Sequence, residues 1–454
     1  MKASARLSSA FMLLCAIGIL LRAESPGVYA LRDARIVRVS APVIERGVVV
    51  VRDGLIESVG ENITPPAGAW VIDCKGLTVY PGLIDALTTL GLPGAAVPRA
   101  AVQDGETQTV QTTAPPATRP PATATRSQGP EDRPLNTSWS KAADQIVPTE
   151  RAIQIARDGG YTSAVTFPGV GIFAGQGSVI NLAGDRVGDM VIADSVGQFV
   201  TLRVSGGRGF PGSLLGSIAY VRQTYLDAEH YKLAKSIYEK HPAGLRRPAY
   251  DRALEGVLMS PLALLPAGSE IEIERMVAFA KELKLKAVLY GGHEAWRSAE
   301  LLKQANMPVL VSLKYPAKSR DADPAADEAI RILQMREQAP ATAGALAKAG
   351  VKFAFYSDGL ATTREKMRAV KKAIDAGLSA SDAIRAMTLA PAEIYGVESR
   401  IGSIDKGKIA NLVVADGDLF ADQTKIKYVF VDGRKFEPQP QEPAPRPAGR
   451  GAAQ

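Results

Sequence analysis

Histidine, the side chain most often used to hold a catalytic metal or move a proton at neutral pH, occurs three times in this 454-residue chain, at 230, 241 and 293. His230 falls inside a long amphipathic stretch and His241 at its end, just before Pro242. Neither belongs to a cluster with metal-ligand spacing, so both read as packing or solvated residues. His293 stands beside Glu294, after an apolar run and two glycines, and Ser357-Asp358 follows a second apolar run. A histidine with carboxylates and a hydroxyl permits acid–base chemistry or a Ser-His-Asp arrangement, although no nucleophile elbow is present. Catalytic zinc takes about three protein ligands, and His293 with Asp358 supplies two.

The elements that would position these groups alternate. A helix is expected over Thr149 to Asp158, with Thr149 as N-cap, and a strand from Tyr161 to Phe167. Gly175 to Asn181 reads as a strand edge; without a following Gly-Lys or a helix start, its glycines do not make a phosphate loop. Ser213 to Glu239 is one long helix with Leu214, Ile218, Val221 and Tyr225 along one face. Leu254 to Met259 reads as a strand and Glu270 to Leu283 as a helix. Strands over Ala287 to Tyr290, Val309 to Leu313 and Val351 to Phe355 are separated by helices near Glu294 to Gln304 and Asp327 to Ala349. Helices at Thr363 to Ala376 and Ala380 to Leu389 follow. This alternation predicts parallel β/α units.

Both ends are β-rich. Short strands are expected between residues 29 and 74, with Asp53-Gly54 as a type I′ hairpin turn. A matching set lies at Ala410 to Val414 and Lys427 to Val431, followed by Asp432-Gly433. Between Val97 and Ser140, Pro115-Pro116, Pro120-Pro121, Pro130 and Pro134 sit among Thr, Ala and Gln, a composition unable to bury enough apolar surface to offset ordering entropy. Residues 97–140 are therefore expected to be a disordered insert and 437–454 a disordered tail.

The stretch from Gly76 to Gly91, with Tyr80-Pro81-Gly82-Leu83-Ile84-Asp85 at its centre, resembles the first barrel strand of the amidohydrolase superfamily, in particular its imidazolonepropionase-like branch. Gly402 to Leu412 resembles the segment that closes the fold in that family. The resemblance implies an α/β fold: a (β/α)8 TIM-type barrel (77–96 and 141–399) beside a small β-sandwich built from both chain ends (29–76 and 400–436). It also implies metal-dependent hydrolysis of non-peptide C–N bonds, of cyclic amide type, by zinc or another divalent ion at the strand ends.

The ligand positions implied by the resemblance are altered. Where the first strand should end in His-x-His stand Ala86 and Thr88. Met259 and Ser260 stand where a further histidine is expected, and Gly291 and Gly292 precede a displaced His293. Asp358 alone fits the family pattern, and Asn181 falls nearest the place of the family lysine. The expected site is thus Asp358 and His293, in a pocket with Asp85, Ala86, Thr88, Met259, Gly291, Glu294 and Ser357, and with neither metal nor other cofactor. Two readings stay open: a degenerate homologue kept as a binding or interaction scaffold, and a hydrolase using a non-standard site around Asp358 and His293.

Met1 to Ala23 reads as a secretory signal peptide, with Lys2 and Arg6 ahead of an apolar run from Phe11 to Leu21, and predicts a periplasmic or extracellular protein without a membrane anchor after cleavage. Removing Lys2, Arg6 and Arg22 takes the net charge from +7 to +4, with basic residues scattered, which argues against nucleic acid as a partner. It also removes Cys15 and leaves Cys74 alone, so no internal disulfide can form. Expected partners are a small-molecule ligand, a second copy, or an intact amidohydrolase paralogue.

Overall fold

The computed structural model describes residues 27–93, 133–202, 204, 210–318, 323 and 327–438. The expected signal peptide, residues 97–132 of the insert and residues 439–454 of the tail lie outside them. From Arg133 onward the expected insert is packed rather than disordered. Arg133 is paired with Asp227 and Asp251 at 3.0 and 2.7 Å, and Ser138 is fully buried with its hydroxyl on the Ala253 carbonyl.

The first sheet joins the two chain ends. β1 (Val28–Ile36), β2 (Ile44–Arg52), β3 (Leu55–Gly60), β4 (Trp70–Asp73) and β5 (Thr78–Pro81) come from the N-terminal side, and β14 (Leu412–Ala415), β15 (Ile426–Val431) and β16 (Arg434–Phe436) from the C-terminal side. Their order is β16-β15-β14-β5-β1-β2-β3, with β4 also paired to β1. The seam is antiparallel, with Leu412 opposite Pro81 and Val414 opposite Val79. The expected hairpin turns form, with positive φ at Asp53 (51°) and Gly54 (81°) and at Asp432 (51°) and Gly433 (72°). The sheet curls until these turns touch: a Cβ on Gly433 would lie 2.7 Å from the Cα of Gly54. Leu31, Val51, Ile56, Val79, Leu412 and Phe430 fill the space enclosed.

Pro81-Gly82 does more than bend the first strand. It ends β5 and hands the chain to the second sheet, where β6 (Leu83–Thr88) begins. Gly82 donates its N–H to the Asn411 carbonyl at 2.8 Å, and its Cα is so close to Thr162 that a Cβ there would sit 2.0 Å from the hydroxyl. Only glycine fits at this crossing.

The second sheet is the barrel: β6, β7 (Tyr161–Thr166), β8 (Phe173–Asn181), β9 (Val191–Val200), β10 (Ala263–Ala267), β11 (Ala287–Gly291), β12 (Val309–Ser312) and β13 (Phe353–Tyr356), in that order. Seven strands are parallel. β8 runs against both its neighbours, so β7, β8 and β9 form an antiparallel insertion within the (β/α) pattern. Helices at Arg151–Asp158, Leu214–Lys240, Glu270–Glu282, Thr363–Asp375 and elsewhere cover the outside. The Glu270 and Thr363 helices begin with capping boxes, Ser269/Glu272 and Thr362/Glu365.

The segment expected as a strand at Leu254 to Met259 is a helix, Arg252–Met259, with Asp251 as N-cap accepting from the Ala253 and Leu254 N–H groups. The strand is β10, just beyond it. Thr149 does not cap its helix; Glu150 occupies that position.

β6 and β13 end the strand order, and a side chain joins them. Asp85 on β6 is turned away from the barrel axis and buried. One oxygen accepts the Ser357 N–H at 3.1 Å, and the other accepts from Lys366 at 3.3 Å. The Lys366 ammonium, 11% exposed as a side chain, also lies 4.6 Å from the centre of the Tyr161 ring.

Two substitutions test this framework. Gly82→Ala is expected to destabilise by about 1–3 kcal/mol or more through overpacking against Thr162, read as a lower urea midpoint, with partial recovery when Thr162→Ala is added. Lys366→Met strands the Asp85 carboxylate and should cost about 3–5 kcal/mol. The double variant Asp85→Asn/Lys366→Met keeps an acceptor for Ser357 and should regain most of that loss; failure to regain it would mean that the pair does not act as a unit.

Candidate functional site

In parallel barrels, reactive groups project from the C-terminal ends of the strands. Here those positions carry aromatic rings. Phe167 follows β7, Phe199 and Tyr290 are the penultimate residues of β9 and β11, and Tyr356 ends β13. All four are 2% exposed or less. Ring centres lie 5.6 Å apart for Phe167–Phe199 and 5.1 Å for Phe199–Tyr290, tilted as close-packed aromatics are.

A fifth ring enters from the other end. Tyr395 follows the short helix Leu389–Ile394, whose Glu393 is paired with Lys352 at the entry to β13. Its centre is 6.1 Å from Phe167, and its hydroxyl donates to the Ala86 carbonyl at 2.7 Å. Burial pushes the Tyr356 and Tyr395 phenols well above their ordinary value, so both stay neutral. With Ile84, Val165, Leu264, Val288 and Leu310, these rings make the barrel interior an apolar core.

The expected site residues are distributed around this plug. Ala86 is sealed inside it at 0% exposure. Asp85, expected in the mouth, points outward to Lys366, because alternation along β6 puts its neighbours Ile84 and Ala86 inside. Met259 ends a helix on the approach to β10 and is 61% exposed, away from the strand C-termini. Asn181 lies at the interface of the two sheets, its side-chain oxygen accepting from Asn411 at 2.7 Å and Ser163 at 3.3 Å. Gly291 is a buried hinge with φ 111° after which β11 leaves the sheet.

His293, Glu294 and Asp358 do gather beyond β11 to β13. The Asp358 carboxylate accepts the Ser312 hydroxyl at 2.8 Å, from a backbone held at φ 43°. His293 is buried; its Nε2 lies 3.1 Å from the Lys314 carbonyl, and its Nδ1 has no hydrogen-bond partner. Burial holds its pKa below the ordinary value, outweighing the Lys314 carbonyl and the Asp358, Glu272 and Glu294 carboxylates, which favour charge. Glu294, 2% exposed, accepts from the Glu270 N–H at 2.9 Å and from Arg331 at 3.1 Å.

Thr88 and Ser357 line a cavity of about 420 Å³ over the β6/β13 seam, together with Thr89, Glu150 and Lys366. Lys366 was not legible as a site residue because a lysine in an amphipathic helix ordinarily faces water. The aromatic plug had a signal: Phe167, Phe199, Tyr290 and Tyr356 each stand at or beside the end of a strand, the layer from which a barrel's reactive groups project.

Zinc or another divalent ion, which the fold family implies, does not fit these residues. The first-strand positions are a sealed alanine and a threonine whose hydroxyl accepts the Leu90 N–H at 3.2 Å. Among the described residues, no group of three or more His, Cys, Asp and Glu side chains is placed to hold a metal.

The model of the amidohydrolase family matches residues 264–436. The fold is similar to that of an amidohydrolase from Thermotoga maritima MSB8, with TM-score 0.71, 24% identity, and coverage of 90% of this chain and 100% of the other. A prolidase solved with N-methylphosphonate-L-proline gives TM-score 0.52 and 17% identity over 91% of this chain and 100% of that one. Molinate hydrolase gives 0.52 and 17% over 94% and 99%. The family model covers β10 to β16, and the fold, a barrel joined to a composite sheet, is similar to that of solved amidohydrolases.

Proposed function

We propose that this protein is an exported, catalytically degenerate amidohydrolase whose barrel is kept as a binding or interaction scaffold. The observation that carries this reading is the ring cluster of Phe167, Phe199, Tyr290 and Tyr356 at the strand ends, which with Tyr395 from the other end fills the barrel interior. A hydrolytic metal needs about three ligands held by further hydrogen-bonding groups; the side chains here offer apolar contact. Asp358 persists as a hydrogen-bond acceptor tying the end of β13 to Ser312 on β12. Partners supported by this reading are a small molecule, a second copy or an intact paralogue.

The proposal of export rests on the N-terminal pattern of Lys2 and Arg6 before Phe11 to Leu21. Among the described residues, no helix is long and apolar enough to cross a membrane.

Elemental analysis of dialysed protein, paired with chelator titration of the melting temperature, tests the reading. Far less than one zinc per chain is expected, with a melting temperature indifferent to chelator. One tightly held zinc, with a melting temperature that falls when it is stripped, would overturn the proposal in favour of a hydrolase. Asp358→Asn should cost no more than about 1–2 kcal/mol, the scale of one altered hydrogen bond.

A further inference from the structure

The opposite end of the barrel, where strands begin, ordinarily serves stability rather than recognition. Here it carries two adjoining clefts of about 520 and 420 Å³ that share Leu262, Leu285 and Lys286. The first lies between the Leu214–Lys240 helix and the turns entering β10 and β11; the second continues across the turns entering β11, β12 and β13. The floor is apolar, made by Leu258, Leu262 and Leu285. Beside it, Leu233 and Met259 are 58% and 61% exposed.

The walls are cationic. Lys232, Lys284, Lys286, Lys303 and Lys352 line the two clefts, against Glu229 and Glu393. Glu393 is already held by Lys352 at 3.1 Å and Arg385 at 2.7 Å. Among the described residues, Lys232, Lys284, Lys286 and Lys303 take part in no salt bridge and no side-chain hydrogen bond. Lys303, in the last turn of its helix, and Lys284, just past the end of another, suit the negative helix termini gathered at this end. Lys232 in mid-helix and Lys286 at the entry to β11 answer no such need.

We propose that this trough is a docking surface for an acidic, aliphatic-rich segment of a partner polypeptide. Aliphatic side chains would fill the floor while carboxylates meet the four lysines. Two long segments outside the described residues are poor matches: residues 439–454 carry Arg446 and Arg450 against Glu442, and residues 94–132 carry three arginines against four acids. A lipid surface is convex or flat and cannot enter two clefts. Nucleic acid could meet the lysines with its phosphates but has no aliphatic groups to fill the leucine floor.

The probe is a fluorescein-labelled peptide, Leu-Glu-Glu-Leu-Asp-Leu-Glu-Leu, titrated into the full chain and followed by anisotropy. Its counterpart with Gln and Asn in place of the acids should bind about tenfold more weakly or worse, and raising salt from about 50 to about 300 mM should weaken the acidic probe. The double variant Lys284→Glu/Lys286→Glu, on two exposed residues, should lower affinity about tenfold or more, whereas Lys75→Glu, in the turn between β4 and β5, should not. Unchanged melting temperatures establish that both variants are folded. Absence of binding, or binding indifferent to the double reversal, would overturn the proposal. Co-sedimentation with phosphatidylglycerol vesicles in preference to the peptide, abolished by the same reversal, would reassign the trough to membranes.

Discussion

Between β13 and β6 the barrel is held by a charge buried on purpose. Taking a carboxylate and an ammonium out of water costs several kcal/mol per ion, and Asp85 offsets this by serving three elements at once. It accepts a backbone N–H that would otherwise end β13 unpaired, neutralises a lysine from the Thr363–Asp375 helix, and holds that lysine against the Tyr161 ring. The same arrangement explains why this carboxylate is unavailable at the mouth. Barrel closure and catalysis would need it to face opposite directions.

Once closed, the barrel has an interior to fill. Five aromatic rings meet that need with dispersion contacts, and three of them, Tyr290, Tyr356 and Tyr395, bring a buried hydroxyl with them. Two interior hydroxyls donate to carbonyls, Tyr395 to Ala86 and Tyr290 to Val200. Chemistry and packing thus compete for one layer of side chains, and packing holds it here. What remains polar lies off the axis, in the group around His293 and Glu294 and in the small cavity over the seam.

Much of this was legible in the residues. The I′ turns and the alternation after Pro148 follow from local patterns, and the composite sheet and the altered ligand positions followed from the family resemblance. Leu254 to Met259 misled because an apolar run of six residues has no decisive period. The deciding signal was Asp251, a helix N-cap, while Pro266 disguised the real strand. The reversal of β8 was hidden because a strand's direction leaves no mark on its composition. Arg133 to Ser140 looked like more of the proline-rich insert, since ion pairs to residues a hundred positions away leave no local trace. The outward turn of Asp85 could have been read from period-two alternation; its partner on a distant helix could not.

The seam between β5 and β14 has a consequence for how the molecule comes into being. Residues 78–81 pair with β1 along one edge but find the partners of the other edge only at 412–415, and the Gly82 crossing is fastened by the carbonyl of Asn411. A chain emerging N-terminus first therefore carries β5 with one edge unsatisfied until residues 412–415 have been made. Contacts of such long sequence separation are slow to form and leave strand edges open to other chains meanwhile. The two halves of the first sheet are thus clasped by residues 412–415, and a chain that stops short of residue 412 leaves that sheet without its clasp.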